Sequence, residues 1–400
     1  MKILFINRYF YNAGGAETHF FNLRELLKVN GYPVIDFSMH DPRNFNSTFK
    51  DYFVDHIDFG VNESIVGKGV HLLYNIEAKN KLEQLIREQR PDIAHLHNWC
   101  YHFSPSILRA LQKYKIPTVQ TLHDAKLICP NEILYANGEI CEKCKKHKYY
   151  QTVFNRCIRN QVFPSLGVSI EQYWYRFYLR FIKDIDAYIS PSHFLINKCK
   201  EWGIKKRIYH LPNYVDLEEY QPSYENGGYI LFIGNVDHYK GIMTLIEAIK
   251  DLPEVRLLIV GSGRLNSEIE NLGLTNIEIL GYRPHNDVVN ILRAARFTVV
   301  PSECYDNFPF AVLESMAMGK PVIGSNLGGI PETIDDGNTG YIFKNKDSSQ
   351  LKEIIKKLYY NEELIEKLGR NARRVVEEKY SKETYLEKLL QIYDSLLNEN

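Results

Sequence analysis

The stretch PSECYDNFPFAVLESMAMGKPVIGS, residues 301–325, decides how the chain folds. An apolar run at 297–301 enters it as a strand, and a polar loop follows. Residues 308–318 then carry helical spacing, Gly319 stops the helix, and a new apolar strand opens at 321–323. Two acids punctuate this strand, helix and strand. Asp306 precedes the helix and Glu314 lies on it eight positions later, which at 1.5 Å per residue separates them by roughly 12 Å along one helix. That span suits a nucleotide sugar laid along the helix start, one acid near a sugar and the other near a ribose. Between them, backbone N–H groups at 307–310 are placed to receive phosphate.

Outward from this unit the same alternation repeats in both directions. KILFIN, YPVIDFS, DIAHLH and PTVQTLH read as strands in the first half, with helical spacing at 17–29 and 104–114. YILFIG, RLLIVG, IEILG, FTVVP and PVIGS form a second series from residue 229. The pattern implies two doubly wound parallel sheets. A chain of 400 residues also exceeds the roughly 250–300 at which one core stops growing. The expected organisation is an N-terminal domain at 1–195 with an insertion at about 125–185, a C-terminal domain at 205–375, and a helix at 376–400 crossing back to the first domain. Turn residues between 189 and 213 mark the hinge.

The 49 basic and 49 acidic residues cancel, which argues against a nucleic-acid binder relying on a global basic field. The chain opens directly on a strand, and its apolar runs fall short of the roughly 18 residues that span a bilayer. The expectation is a cytoplasmic protein. Seven cysteines, an odd number, argue for reduced thiols or a metal site over a disulfide framework.

Taken together, the motifs resemble those of a retaining nucleotide-sugar glycosyltransferase of family 4, of group 1 type and GT-B fold. In chain order they are GGAE at 14–17, HLHN at 95–98, TLHD at 121–124, SPS at 190–192, LPNYVD at 211–216, YKG at 239–241, GYRP at 281–284, the segment 301–325, and GGIPE at 328–332. The resemblance covers nearly the whole chain. It implies two Rossmann-like domains facing a cleft, the first holding the acceptor and the second the donor. Gly14, Gly15, Asn235, Lys240, Gly241, Arg283, Asp306, Asn307, Phe308 and Glu314 would contact the donor, and His123, Lys240 and Asp306 would serve catalysis.

Each motif also has a plain structural reading. Gly14 and Gly15 let a loop approach a phosphate, or merely make a tight turn. Lys240 follows a strand at the sheet edge where open α/β sheets bind ligands, and it is either the counter-charge of a leaving diphosphate or a solvated lysine. Five residues earlier the family commonly has Arg where this chain has Asn235, so Arg264 or Arg8 is the substitute cation or activity is weak. The first acid is Asp306 where Glu is usual; it either accepts from a sugar hydroxyl or caps the helix. Glu314 would accept from both ribose hydroxyls. His123 would lie near the transferred sugar and β-phosphate, orienting and stabilising.

Asp184 and Asp186 spell a metal-binding Asp-x-Asp, but at the entry to a strand, so no catalytic metal is expected. Cys129, Cys141, Cys144 and Cys157 are spaced Cys-x11-Cys-x2-Cys-x12-Cys. They form a structural zinc site pinning the insertion, with His147 as a substitute ligand, or remain unpaired or redox-linked thiols. From 145 to 183 eight Lys or Arg face one acid, Glu171. Within this segment Trp174, Phe177, Tyr178 and Phe181 make an aromatic stripe beside Arg176, Arg180 and Lys183, suited to an anionic membrane surface or to packing on its own domain.

The implied reaction moves a hexose-type sugar from a nucleotide diphosphate to a glycan or lipid-linked acceptor in surface-polysaccharide synthesis. Other classes consistent with Asn235 and Asp306 are a noncatalytic sugar-nucleotide-binding scaffold and a GT-B epimerase.

Overall fold

The computed structural model describes residues 1–56 and 73–399. Its first half is built on β1 (Ile3–Ile6), β2 (Val34–Phe37), β3 (Ile93–Leu96) and β4 (Thr118–Thr121). A short hairpin of β5 (Tyr135–Ala136) and β6 (Glu139–Ile140) follows, then β7 (Ala187–Ser190) and β8 (Ile208–His210). All but the hairpin join one parallel sheet in the order β2-β1-β3-β4-β7-β8. The second half contributes β9 (Tyr229–Ile233), β10 (Arg256–Val260), β11 (Ile277–Gly281), β12 (Thr298–Val300), β13 (Val322–Ser325) and β14 (Gly340–Phe343). Their order is β11-β10-β9-β12-β13-β14, again parallel.

Helices cover both faces of each sheet, so strand residues are buried on both sides and read as unbroken apolar runs. All four residues of β1 are inaccessible to solvent: Leu4 and Ile6 face one core cluster, Ile3 and Phe5 another. Strand order reverses at the first strand of each sheet. β1 lies between β2 and β3, and β9 lies between β10 and β12. Loops leaving the carboxyl ends at such a switch point diverge and open a crevice. The loops after β1, β3, β9 and β12 carry Gly14, His97, Lys240 and Asp306 respectively.

The last helix, Lys382–Glu399, returns to the N-terminal half, where Tyr385, Leu389, Tyr393 and Leu396 share a core cluster with Ile3, Phe5, Phe20 and Leu23. Side chains also join the halves directly. Asn307 Nδ2 donates to the Leu122 carbonyl at 2.8 Å, and Ser192 Oγ donates to Asn307 Oδ1 at 2.5 Å. The Glu332 carboxylate accepts from the backbone N–H groups of His193 (2.8 Å) and Phe194 (2.6 Å), at the start of helix His193–Glu201.

Several local expectations change. β8 belongs to the first sheet, so that sheet runs past the expected boundary at 195–205. The helix expected over 308–318 begins at Phe310 and ends at Ala317. Asp306 therefore sits in the preceding loop, the rise of one continuous helix does not measure its separation from Glu314, and Pro309 at the cap brings no N–H to the anion site. The aromatic segment expected as one helix is an α-helix over Val162–Tyr173, a π-turn over Trp174–Tyr178, and a short helix Phe181–Asp184 after left-handed Arg180. The break turns Phe181 inward, 3% exposed, and leaves Phe177 and Tyr178 at 53% and 69%.

Candidate functional site

On the C-terminal side the site starts with glycine. Gly241 ends the turn after β9 and begins helix Ile242–Ile249 with φ 69°, and a Cβ there would lie 1.8 Å from the Pro301 carbonyl oxygen. Only glycine lets the loops after β9 and β12 touch, and that contact brings Lys240 to Asp306. The ammonium meets Asp306 Oδ1 at 2.6 Å, and Ser302 Oγ donates to Oδ2. Burial works against the Lys240 charge, but Asp306 outweighs it and the pKa lies above that of an ordinary lysine. Asp306 is not the helix cap considered from the sequence, since its carboxylate is occupied by Lys240 and Ser302.

The 306–307 loop is itself fixed by glycines. A Cβ on Gly328 would stand 2.1 Å from the Asp306 carbonyl oxygen, and one on Gly329 would stand 1.8 Å from that of Asn307. This explains why GGIPE accompanies the acidic loop: its glycines admit the backbone and its Glu332 holds the opposite domain. Phe308 is buried, and its carbonyl accepts from Asn213 Nδ2 at 3.3 Å. Glu314 stands on the helix with its carboxyl pKa raised by burial, opposed by a hydrogen bond from Tyr220 and by His285. Asn235 is exposed and donates to the Tyr239 hydroxyl at 3.0 Å. Of the candidate substitute cations, Arg264 is held 3.0 Å from Asp237 on the Lys240 loop. Arg283 is solvent-exposed.

Across the cleft, Gly14 and Gly15 open helix Gly15–Val29, and Gly15 faces the Phe310 ring, 3.5 Å from where a Cβ would sit. Gly14 is extended (φ 175°), so its backbone does not demand glycine. His123 lies one residue beyond Leu122, the carbonyl held by Asn307, which brings it to the C-terminal loop. Its Nε2 is 2.9 Å from His97 Nδ1, and their rings stack. His97 stacks in turn on His95. Burial pushes His123 down to about 4 and His95 to about 3, leaving both neutral near pH 7. Helix Lys382–Glu399 supports this histidine row, with Tyr385 Oη 3.1 Å from His19 Nε2 and Tyr393 Oη 2.6 Å from His95 Nδ1.

Beside His123 a cavity of about 20 Å³, room for one water, is lined by Arg8, His97, His123, Asp124, Lys126 and Glu132 among others. Burial and the Glu132 charge raise Asp124 to about 7, against the Lys126 N–H and Arg8. Arg8 thus serves the N-terminal acids and does not stand in the Lys240 loop. Tyr220 and Glu332 reach Glu314 and the helix at His193 across long sequence separations, beyond any local motif, whereas Ser302 and Glu132 lie four and eight residues from Asp306 and Asp124 but are residue types that no motif marks.

Asp186 Oδ2 accepts from the Thr118 N–H at 2.8 Å, and Asp184 lies 3.4 Å from Arg109. Cys129, Cys141, Cys144 and Cys157 all lie in the segment between β4 and β7, as free thiols. His147 Nδ1 is 3.1 Å from the Tyr149 hydroxyl.

Comparison with known proteins bears on both halves. The family described as Glycosyltransferase Family 4 matches residues 13–219, and Glycosyl transferases group 1 matches residues 216–375. An uncharacterised glycosyltransferase of Methanocaldococcus jannaschii is 28% identical over 405 residues, covering 99% of each chain. The capsular polysaccharide biosynthesis glycosyltransferase CapM of Staphylococcus aureus is 29% identical over 206 residues, 50% of this chain and 54% of that one. Among solved structures, sucrose-phosphate synthase of Thermosynechococcus elongatus superposes with TM-score 0.74 at 18% identity, covering both chains fully. Anabaena HepE in complex with UDP and glucose superposes with TM-score 0.68 at 17% identity, over 99% of this chain and 100% of that one.

Proposed function

The chain belongs to the group 1, family 4 glycosyltransferases, and from that premise we propose that it transfers a hexose-type sugar, with retention and without a catalytic metal, from a nucleotide diphosphate to a glycan or lipid-linked acceptor. The observation that carries this reading is the Lys240–Asp306 pair at the switch point of the second sheet, facing His123 across a bridge made by Asn307. On donor binding, Lys240 turns from Asp306 to the diphosphate and neutralises the charge that grows on the leaving group. Asp306, freed, accepts from a sugar hydroxyl. Glu314 accepts from the ribose, and the departing diphosphate takes the acceptor proton on the face it leaves. Domain closure excludes water. That HepE has been captured with UDP and with UDP-glucose supports a uridine donor as the first to try. CapM's name supports a place in surface-polysaccharide synthesis.

A membrane-borne acceptor is favoured by one surface. No described helix is long and apolar enough to cross a membrane. Yet Phe163 (85% exposed), Leu166, Ile170 and Phe154 (78%) present apolar side chains to solvent on the insertion, amid the basic residues of 145–183, whose single acid, Glu171, is buried against Lys126. Such a face lies flat on anionic lipid. Retention of the chain in the supernatant with anionic vesicles at low salt would remove this part of the proposal.

The deciding experiment is calorimetric titration with UDP, GDP, ADP and CMP, using Lys240→Ala and Glu314→Ala as controls. Tight binding of one nucleotide, weakened in both variants, is expected. Failure of all four to bind would overturn the donor reading in favour of a noncatalytic subunit, with Asn235→Arg the first reversion to make.

A further inference from the structure

YANGEI, residues 135–140, carries the dipeptide that most readily makes a two-residue hairpin, and the chain uses it so. Asn137 and Gly138 both have positive φ, 55° and 81°, the pattern of a type I′ turn, and the flanking residues pair as Tyr135 with Ile140 and Ala136 with Glu139. The Cys141 N–H extends the pairing to the Leu134 carbonyl at 2.8 Å. Beyond it, Lys143 Nζ donates to Asn155 Oδ1 at 3.0 Å, fastening the exit of the hairpin to the end of helix Gln151–Phe154. The result is a short, internally bonded arm on the insertion of the N-terminal half.

We propose that this arm positions the Lys240–Asp306 pair from the opposite domain, with Tyr135 and Glu142 as the positioning residues. A tyrosine precedes each member of the pair, Tyr239 before Lys240 and Tyr305 before Asp306, and the arm holds both. The Tyr135 ring meets the edge of the Tyr239 ring with centroids 6.4 Å apart, within the range of a favourable aromatic pair. The Tyr305 hydroxyl donates to Glu142 Oε1 at 3.2 Å, and the same carboxylate pairs with Lys198 at 2.8 Å while the Tyr305 ring packs on Phe194.

A third contact joins the tip of the arm to the same loops. Lys346 Nζ donates to the Gly138 carbonyl at 2.7 Å and stands 3.5 Å from Glu303. Glu303 and Cys304 in turn both give their N–H to the Tyr239 carbonyl, at 2.9 and 3.1 Å. The loops bearing Lys240 and Asp306 are therefore tied to each other, and the arm holds the tied unit at three points.

Neither member of the pair has a long element to fix it. Lys240 ends the three-residue turn His238–Lys240, and Asp306 sits in the loop before helix Phe310–Ala317. A displacement of 1 Å among reacting groups can cost about 10²-fold in rate, so an outside brace on these loops matters. The arm lies between β4 and β7 of the first sheet and the two tyrosines belong to the second half, so the brace exists only while the halves are together. Lys240 and Asp306 are set by it in the closed chain and released together on opening. What the pair then does rests on the donor reading above; the bracing itself does not.

The test combines hydrogen exchange of the 303–306 backbone, read by mass spectrometry on the full chain, with calorimetry of the nucleotide that wild type binds among UDP, GDP, ADP and CMP. Glu142→Ala and Tyr305→Phe, both at half-buried positions, are each expected to speed that exchange about 10-fold and to weaken the nucleotide about 10-fold. The double variant should do no worse than either single one, because the two side chains act through one contact. Glu142→Gln keeps an acceptor for the Tyr305 hydroxyl and should restore most of both. Glu201→Gln removes only the other acid beside Lys198, 3.5 Å from it, and should change neither. Unchanged exchange in both single variants overturns the proposal. So does faster exchange with unaltered nucleotide affinity, or additive effects in the double variant. A wild-type chain that binds none of the four nucleotides removes the donor reading, and the exchange measurement then decides by itself whether the arm positions the pair.

Discussion

Lys240 and Asp306 hold each other at 2.6 Å, so in the proposed reaction each would exchange its partner for the donor. Removing the ammonium by Lys240→Ala is expected to lower kcat by about 10²–10³-fold, the usual cost of one preorganised charge aimed at a leaving group, with circular dichroism unchanged. Lys240→Arg is expected to restore little, because a planar fork does not fit where a compact charge meets one carboxylate oxygen. Glu314 supplies a pH dependence. Burial raises its pKa, and in the proposed role only the ionised form would accept from both ribose hydroxyls. Nucleotide affinity is therefore expected to weaken as pH falls through that raised value, beginning above the normal carboxylate range. Glu314→Gln should bind weakly at every pH, with this dependence gone; calorimetry at several pH values reads both. Asp306 and Glu314 stand out in the sequence because their types and spacing match a known pattern. Ser302 and Tyr220, which hold them, carry no such mark.

At the scale of elements, the strands were legible because parallel sheets buried on both faces leave unbroken apolar runs, as in YILFIG and RLLIVG. β8 was missed: Ile208, Tyr209 and His210 are all half-buried at the sheet's edge and show no such run. The helix after Asp306 was read two residues early because Phe308 continues the apolar spacing, whereas the cap falls at Pro309. The turn at 174–178 was invisible since a π-turn keeps helical composition. Least legible was the joint between halves, made by side chains of GGIPE and the acidic loop. Glu332 caps helix His193–Glu201 from the other domain, so its worth is both a cap and a latch. Glu332→Ala is expected to lower stability by about 1 kcal/mol and raise KM more than it lowers kcat, because the closed form becomes harder to reach. Equal stability by urea unfolding would show that the contact does no holding.

At the scale of the whole molecule, the return of helix Lys382–Glu399 ties the end of the chain to the histidines of the first sheet, and this sets how the protein responds to acid. The alternation of strands made two sheets readable, but the Tyr385–His19 and Tyr393–His95 pairs join residues 366 and 298 positions apart, beyond any local pattern. Burial depresses His95 to about 3 and His123 to about 4, so the folded chain keeps them neutral where the unfolded chain, with pKa near 6.5, takes up a proton on each. A lowered folded pKa gives stability that is present above pH 6.5 and is lost as pH falls through the folded value. For each such histidine the loss amounts to about 1.4 kcal/mol per pH unit between those limits. Tm is thus expected to fall steeply from pH 6.5 toward 4. His95→Gln should unfold at lower temperature at pH 7, since it disturbs the bonds to Tyr393 and Thr121, yet show a shallower decline between pH 6.5 and 4.5. Tyr393→Phe keeps the histidine and its burial, so its decline should match the wild type. Parallel declines in His95→Gln and the wild type would mean that this histidine is not the buried neutral group, and that the acid sensitivity arises elsewhere in the row.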